Sequence, residues 1–146
     1  MKGLCEVFGI DLGTTNSCIA ALKDGVPHIV PVGGCGIVPS VVSMDGCSML
    51  VGRKARNRAS AFPEQSVRSI KRLMGSSETC LLGRKEYSPE DISSIILRYL
   101  CDEAERIEGV KIERVVITVP AYFNDAQRRA TREAGNRAGL KVERII

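Results

Sequence analysis

The residue types best suited to chemistry lie near the start of the chain, where a single carboxylate, Asp11, precedes a turn of small residues. Residues 9–17 read Gly-Ile-Asp-Leu-Gly-Thr-Thr-Asn-Ser. Glycine has no Cβ, so the backbone N–H groups and short hydroxyls of such a turn can approach a phosphate closely. A carboxylate at the end of the preceding strand could face a hydrated Mg²⁺ that bridges the phosphates. The segment therefore indicates a nucleotide-phosphate site.

An ordinary hairpin turn is the alternative that these residues leave open. Asp, Gly, Thr and Asn between two apolar runs are also typical of turns that bind nothing. Neither common phosphate loop is present, because the chain contains no G-x-x-x-x-G-K-[ST] and no G-x-G-x-x-G that opens a helix. The apolar run after Asn16 predicts a second strand, so the candidate site is a strand–turn–strand hairpin.

The elements that must position this turn begin with strands. Five apolar segments predict strands in the first 52 residues, at 6–11, 17–22, 27–32, 39–44 and 49–52. Asp24-Gly25 and Asp45-Gly46 favour hairpin turns between consecutive members of this set. The first three strands form an antiparallel meander, which ends at the glycine-rich break of residues 33–36. This break suits a crossing into a subsidiary subdomain.

Helices and strands alternate in the second half. Residues 53–62, 66–74, 88–109 and 124–138 predict helices, residues 112–119 and 140–146 predict strands, and residues 81–87 are ambiguous. The clearest helix begins near Ser88, which offers a hydroxyl cap followed by a proline and two carboxylates in the first turn. Its apolar residues repeat at helical intervals, and Gly109 ends it. The chain thus closes with a β–α–β unit.

Three segments together resemble motifs of the seventy-kilodalton heat-shock chaperones of the DnaK type. Residues 9–17 resemble the first phosphate motif of that family. Residues 69–75 (Ser-Ile-Lys-Arg-Leu-Met-Gly) are similar to the segment that carries its catalytic lysine, and residues 115–131 are similar to its strand–proline–helix segment. The three matches follow the family's order, and the resemblance covers essentially the whole chain.

The resemblance implies an α/β fold of the ribonuclease-H-like, actin-like ATPase type. The expected lobe has a mixed sheet with flanking helices and a small inserted subdomain. Its core would comprise residues 1–36 and 110–146, and the inserted part residues 37–109. The second lobe of the ATPase domain, the linker and the peptide-binding domain of the family have no counterpart in this sequence.

The family's nucleotide contacts carry over to residues of this chain. The resemblance implies that the β and γ phosphates of ATP or ADP are wrapped by Gly13, Thr14, Thr15 and Asn16. Asp11 would hold Mg²⁺ through its water shell, and Lys71 would reach the γ phosphate and orient the attacking water. A lysine suits this role as a compact charge on a long stem. On its residue type alone, Lys71 beside Arg72 would equally fit a solvated surface position.

Three further residues are implied to communicate with other domains. Pro120 would act as a switch that transmits the nucleotide state, Arg128 would relay it to the neighbouring domain, and Arg144 would help dock the J-domain co-chaperone and the peptide domain. A helix-start proline and solvated helix charges are sufficient alternative explanations of the first two. The implied partners are unfolded polypeptide clients, a J-domain co-chaperone and a nucleotide-exchange factor.

Composition excludes several other classes. The chain has 146 residues, a net charge of +4 and only 4% aromatic residues, and its basic residues are mixed with acidic ones, which argues against nucleic-acid binding. No apolar run reaches the length of a membrane span, and residues 1–6 lack the apolar stretch of a secretory signal. The six cysteines form no C-x-x-C pair, and His28 is the single histidine, so we expect no zinc site. Reduced thiols and a cytoplasmic location are expected.

These observations leave two main functions. The first is one lobe of the ATPase domain of a protein-folding chaperone, an ATP hydrolase that gates peptide binding in a separate domain. The second is a non-catalytic interaction fragment of the same fold. A small-molecule kinase of the related superfamily is a third interpretation, although the aspartate motif of those kinases finds no match here. Because a one-sided cleft cannot desolvate a nucleotide, we expect this chain alone to bind ATP poorly and not to turn over.

Overall fold

The computed structural model describes residues 7–146, so the expectations for Cys5, for Glu6 and for the leader lie outside the described residues. The strands are β1 (Val7–Leu12), β2 (Asn16–Lys23), β3 (Val26–Ile29), β4 (Val38–Pro39), β5 (Val41–Asp45), β6 (Ser48–Val51), β7 (Ser66–Arg68), β8 (Cys80–Leu82), β9 (Lys85–Tyr87), β10 (Arg114–Thr118) and β11 (Lys141–Ile145). The helices are α1 (Arg53–Ala59), α2 (Pro89–Glu108) and α3 (Asp125–Arg137), with short 3₁₀ helices at Val32–Gly34, Pro63–Gln65 and Ile70–Leu73.

The main sheet has the strand order β11-β10-β1-β2-β3, and β4 pairs with the start of β2. β1, β2 and β3 form the expected antiparallel meander, and the turn at Asp24-Gly25 has positive φ at both residues. β10 is parallel to β1, and β11 is parallel to β10. The β–α–β unit and the mixed sheet of the sequence-based prediction are therefore confirmed.

Helices α2 and α3 pack against each other and against the main sheet. Each begins with a capping box, centred on Ser88 in α2 and on Asn124 in α3, and Gly109 ends α2 in the left-handed conformation. Large side chains of the sheet and of α2 fill the core between them: Phe8, Ile10, Ile19, Ile96, Leu97, Leu100 and Ile117 are each at most 1% exposed. Burial of these apolar side chains is the main driving force for forming this layer. Within the described part of the chain, no helix is both long enough and apolar enough to cross a lipid bilayer.

A second, three-stranded sheet has the order β6-β5-β7 and is covered by α1. The single strand expected over residues 39–44 is divided at Ser40, because β4 pairs with β2 whereas β5 pairs with β6 and β7. Ser40 is therefore the residue at which the chain passes from one sheet to the other. The ambiguous residues 81–87 belong to a two-stranded hairpin of β8 and β9.

The helix expected over residues 66–74 is wrong. Residues 66–68 form β7 and pair with β5, and Ser69 then adopts a positive φ of 56° before the 3₁₀ helix Ile70–Leu73. A left-handed residue interrupts a right-handed helix. The pairing of β7 with a partner strand outweighs a weak local helical preference, since propensity yields to tertiary context.

Two elements of the segment 37–109 contact the main sheet and its helices. β4 pairs with β2, and α2 packs along α3. The remaining elements of that segment, from β5 to β9, build the smaller sheets. The division of the chain into a core part (1–36 and 110–146) and an inserted part (37–109) stays a prediction.

Candidate phosphate-binding site

Asp11 and Thr118 lie opposite each other at the carboxyl ends of the adjacent parallel strands β1 and β10. The Thr118 hydroxyl donates a hydrogen bond of 3.2 Å to Oδ1 of Asp11. Because side chains alternate along a strand, both residues lie on the face opposite the one on which Ile10 and Ile117 enter the core. Open α/β sheets bind ligands at the carboxyl ends of their strands. The sequence reasoning missed Thr118, whose signal is a polar residue at the end of a β-branched run.

The turn of residues 13–16 connects β1 to β2 immediately after the Leu12–Ser17 pair. A Cβ added to Gly13 would lie 2.0 Å from the backbone oxygen of Asn16, so the turn closes this tightly only with glycine. Thr15 and Asn16 are exposed, and Thr14 is partly exposed. Within residues 7–146, the backbone N–H groups of Thr14 and Thr15 have no recorded acceptor. Unpaired donors at an exposed turn are the groups an anion needs.

Two buried serines hold this turn from beneath. Ser40 Oγ donates to the backbone oxygen of Gly13 at 2.8 Å, and the Ser40 amide donates to the backbone oxygen of Thr15 at 2.8 Å. Ser17 Oγ lies 2.7 Å from Ser40 Oγ, and each serine is 2% exposed. Neither serine was a site candidate from the sequence, where Ser40 is one polar residue within a predicted strand.

Lys71 is the second residue of the 3₁₀ helix Ile70–Leu73 and is partly buried. Its Nζ atom lies 5.6 Å from the centroid of the Phe123 ring. Burial lowers the pKa of the Lys71 amine below its ordinary value, and the Asp11 carboxylate opposes this shift. Lys71 is therefore a partly buried amine over an aromatic ring and is not fully solvated.

Asp11 also influences Cys18, which pairs with it across β1 and β2. Burial raises the pKa of the Cys18 thiol, and the Asp11 carboxylate raises it further, while a hydrogen bond to the Asp11 backbone acts in the opposite direction. Cys18 is a neutral thiol beside the carboxylate. The negative charge at this edge of the sheet therefore comes from Asp11.

Pro120 and Arg128 flank the aromatic residue beneath Lys71. The Phe123 amide donates to the backbone oxygen of Pro120 at 3.1 Å, and Arg128 Nε donates to the backbone oxygen of Phe123 at 3.2 Å. Phe123 is 7% exposed. Pro120 and Arg128, which are expected to communicate with other domains, thus both hydrogen-bond to the backbone of Phe123, whose ring lies under Lys71.

Arg144 lies apart from this group. It is an exposed residue of the edge strand β11 and pairs with Val116 next to a register shift. One strand, β10, lies between β11 and β1 in the sheet. The structure therefore does not bring Arg144 together with Asp11 and Lys71.

The donor set fits a magnesium ion that keeps most of its water. No group of three or more His, Cys, Asp or Glu side chains in the described part of the chain could hold a metal. Mg²⁺ binds through one or two carboxylates with water and phosphate completing its shell, rather than in an all-protein cage. Asp11 at the mouth of the turn meets that requirement.

Two grooves of about 420 and 500 Å³ lie elsewhere and share Met49, Val51 and Tyr99. Neither is lined by residues 11–16 or by Lys71.

Comparison with known proteins adds the family. The sequence pattern described as Hsp70 protein matches residues 7–81 and 77–146 of this chain. The chain belongs to the Hsp70 family. The chaperone protein DnaK of Ureaplasma urealyticum serovar 10 is 52% identical over 141 residues, which cover 96% of this chain and 23% of that relative. The chaperone protein DnaK of Mycoplasma mobile is 51% identical over 142 residues, covering 97% of this chain and 24% of the relative.

The chain thus spans about a quarter of the length of these Hsp70 relatives. Its mixed sheet with flanking helices is the fold expected for a lobe of the Hsp70 ATPase domain. The roles of individual residues in nucleotide binding stay predictions.

Proposed function

We propose that this chain forms the first lobe of the ATPase domain of a protein-folding chaperone. The support is its membership of the Hsp70 family and the chaperone names of its relatives. The single observation that carries the site assignment is the convergence of three sequence motifs. Asp11 and residues 13–16 belong to the first motif, Thr118 of the third motif donates to Asp11, and Lys71 of the second motif lies over the Phe123 ring of the third.

In this proposal the turn of residues 13–16 wraps the β and γ phosphates of ATP or ADP. The N–H groups of Thr14 and Thr15 have no acceptor within residues 7–146, and the Thr and Asn side chains add short polar groups at an exposed edge. Donors that are already oriented toward developing negative charge stabilise it without reorganisation. Gly13 contributes by allowing the chain to turn without a side chain in the way.

A bound magnesium ion would neutralise charge on the phosphates, and Asp11 would hold it through water. Thr118 donates to Oδ1 of Asp11, which leaves Oδ2 as the acceptor for a metal-bound water. This hydrogen bond also fixes the orientation of the carboxylate. Thr118 is therefore included in the proposed site as the residue that orients Asp11.

Lys71 would place a positive charge beside the γ phosphate and orient the attacking water. Phosphoryl transfer to water depends mainly on positioning and charge neutralisation, because the protein has little covalent chemistry to perform. The partly buried amine gains more from an anion than a solvated lysine would, since electrostatic interactions strengthen away from bulk water. The Phe123 ring restricts where the amine can lie.

In the full-length protein, ATP hydrolysis would gate the binding of unfolded polypeptide clients in a separate domain. Pro120 and Arg128 would transmit the nucleotide state, and Arg144 would take part in docking a J-domain co-chaperone and the peptide domain. A nucleotide-exchange factor completes the cycle, and the location is cytoplasmic. We also propose that residues 37–109 form the inserted subdomain, which contacts the core through β4 and α2.

A non-catalytic interaction fragment is the second candidate. The specific observation in its favour is the exposed Arg144 on the edge strand β11, away from the phosphate turn. The family match gives no support to the small-molecule kinase interpretation.

Two measurements test the proposal. In the first, this chain replaces the matching segment of the Mycoplasma mobile DnaK, and single-turnover ATP hydrolysis of the chimera is compared with that of the parent. Hydrolysis within about tenfold of the parent is expected, whereas a folded chimera that neither binds nor hydrolyses ATP would refute the ATPase assignment.

In the second measurement, the isolated chain is titrated calorimetrically with Mg·ATP. We expect no binding in the micromolar range, because the adenine pocket belongs to the second lobe.

A further inference from the structure

We propose that Ser40 is a positioning residue of the phosphate turn, and that it links the second sheet to the phosphate site. The inference rests on the proposed function, because it concerns how residues 13–16 present their N–H groups to a phosphate. Ser40 lies outside the turn, at the crossing from β4 to β5. Two of its groups nevertheless bond to the backbone of the turn, as its hydroxyl and its amide each donate to one carbonyl.

The proton of the Ser40 hydroxyl can be assigned from the geometry. A serine hydroxyl has one proton to donate and two lone pairs that accept. Ser40 Oγ donates its proton to the Gly13 oxygen, so the 2.7 Å contact with Ser17 Oγ requires Ser17 to be the donor. The result is a directed chain from Ser17 to Ser40 to Gly13. Because both side chains are 2% exposed, water does not compete for these bonds.

These bonds determine which way the turn's N–H groups face. In a planar trans peptide the C=O and the following N–H point in opposite directions, and the described residues contain no cis bond. The Gly13 and Thr15 oxygens both point at Ser40. The N–H groups of Thr14 and Asn16 must therefore point away from Ser40. A phosphate bound at the open side of the turn meets donors that Ser40 has oriented.

The position of Ser40 gives this contact a second consequence. The residue before it belongs to the main sheet through the Asn16–Pro39 pair, and the residue after it begins β5 through the Val41–Arg68 pair. A rotation of the second sheet against the main sheet would shift the backbone on one side of Ser40, whose amide donates to the Thr15 carbonyl. The phosphate turn and the orientation of the second sheet are coupled at this residue.

Ser43 provides a matched control. It is fully buried, its Oγ donates to the backbone oxygen of Gln65 at 3.2 Å, and it lies 2.8 Å from the hydroxyl of Ser66. Ser43→Ala therefore removes the same kinds of bond as Ser40→Ala, a hydroxyl pair and a hydroxyl–carbonyl bond. It does so in the second sheet, away from residues 13–16.

The test uses ¹⁵N-labelled chain with two readouts, the backbone order parameters of residues 14–16 and chemical-shift changes on titration with magnesium pyrophosphate. Ser40→Ala is expected to lower the order parameters of these residues toward flexible values, below about 0.6. It should also weaken the pyrophosphate affinity by roughly tenfold, because the half-buried Gly13 carbonyl loses its donor and the turn is no longer held in one orientation. Ser43→Ala should leave both readouts unchanged, even if it lowers the midpoint of urea unfolding as much as Ser40→Ala does.

Ser17→Ala is the second variant in case Ser40→Ala does not fold. It removes the donor to Ser40 but keeps the Ser40–Gly13 bond, so a smaller change in the same readouts is expected. Equal order parameters and equal pyrophosphate affinity in the Ser40 and Ser43 variants would overturn the inference. If the unsubstituted chain shows no pyrophosphate response at residues 11–16, phosphate binding by this chain fails. Even then, lower order parameters at residues 14–16 in Ser40→Ala but not in Ser43→Ala would support Ser40 as a positioning residue of the turn. Unchanged order parameters in Ser40→Ala would overturn that role.

Discussion

The Nζ atom of Lys71 lies over the Phe123 ring, 5.6 Å from its centroid. The two residues belong to different motifs of the sequence, and the ring side of the contact is anchored by the bond from Arg128 to the Phe123 oxygen. An ammonium group over an aromatic face is attracted by the ring quadrupole. The position of the Lys71 amine thus depends on a segment that follows β10.

Lys71→Ala should abolish ATP hydrolysis in the chimera while ATP binding persists. The lysine charge is expected to act mainly on the transition state, so we predict a loss of about 100-fold or more in the single-turnover rate. Thr14→Ala should slow hydrolysis less, because neighbouring donors remain. Arg72→Ala is the control, since Arg72 is the exposed next residue. Comparable losses of nucleotide affinity in the Lys71 and Thr14 variants would contradict the assigned roles.

Anion binding should raise the pKa of Lys71. Burial favours the neutral amine, so the folded-state pKa lies below the unfolded one, and the Asp11 carboxylate offsets part of that shift. The resulting destabilisation is present at pH values below the folded pKa and disappears as pH rises from the folded to the unfolded pKa. The lysine Cε resonance, followed by NMR against pH, should titrate higher with magnesium pyrophosphate than without it. An unchanged titration in a chain whose residues 13–16 bind pyrophosphate would place Lys71 outside the site.

Gly13→Ala should destabilise the fold and remove phosphate binding. The added Cβ would lie 2.0 Å from the Asn16 backbone oxygen, so the turn must open. We expect a loss of about 1–3 kcal/mol in the free energy of unfolding, as for other overpacked sites, measured by urea denaturation. Gly9→Ala in the preceding strand β1 is the control, because its Cβ would meet nothing within 4 Å. A Gly13 variant as stable as the Gly9 variant would mean that the turn is not closed as described.

The cysteines should react with iodoacetamide in order of exposure. Cys35 and Cys47 are exposed, whereas Cys101 is buried, and burial raises the pKa of its thiol to about 12. Because the thiolate is the nucleophile, Cys101 should stay unmodified at pH 8 until the chain is unfolded. Peptide mass spectrometry after timed labelling measures each rate. Labelling of Cys101 in the folded chain as fast as that of Cys35 would contradict the described core.

Local sequence features were sufficient to predict an element wherever its backbone groups are satisfied by residues close to it in the chain. The capping box at Ser88 and the left-handed stop at Gly109 define α2, and Asp24-Gly25 defines the hairpin between β2 and β3. In each case the side chain or the permitted φ satisfies backbone groups within a few residues. The resemblance to Hsp70 motifs added the fold class, which composition alone would not have supplied.

Residues 66–74 show where this reasoning stops. Their helical pattern is short, and the hydrogen bonds of β7 to β5 come from residues far away in the chain. Backbone donors and acceptors must be satisfied somewhere, and a partner strand satisfied them better than one more turn of helix. Lys71 thereby lies on a 3₁₀ helix, which no local signal predicted.

The amino-acid order by itself determined the meander, the two capped helices and the candidate phosphate turn with Asp11 before it, because these depend on local sterics, capping and periodicity. Lys71 became a candidate only through the resemblance to Hsp70 motifs. Only the tertiary structure decided that Thr118 donates to Asp11, that Lys71 lies over the Phe123 ring, and that Ser40 donates to two carbonyls of the turn. Each of these contacts joins segments far apart in sequence. Their formation depends on the pairing of β1 with β10 and of β2 with β4, and that pairing becomes visible only once the sheet is assembled.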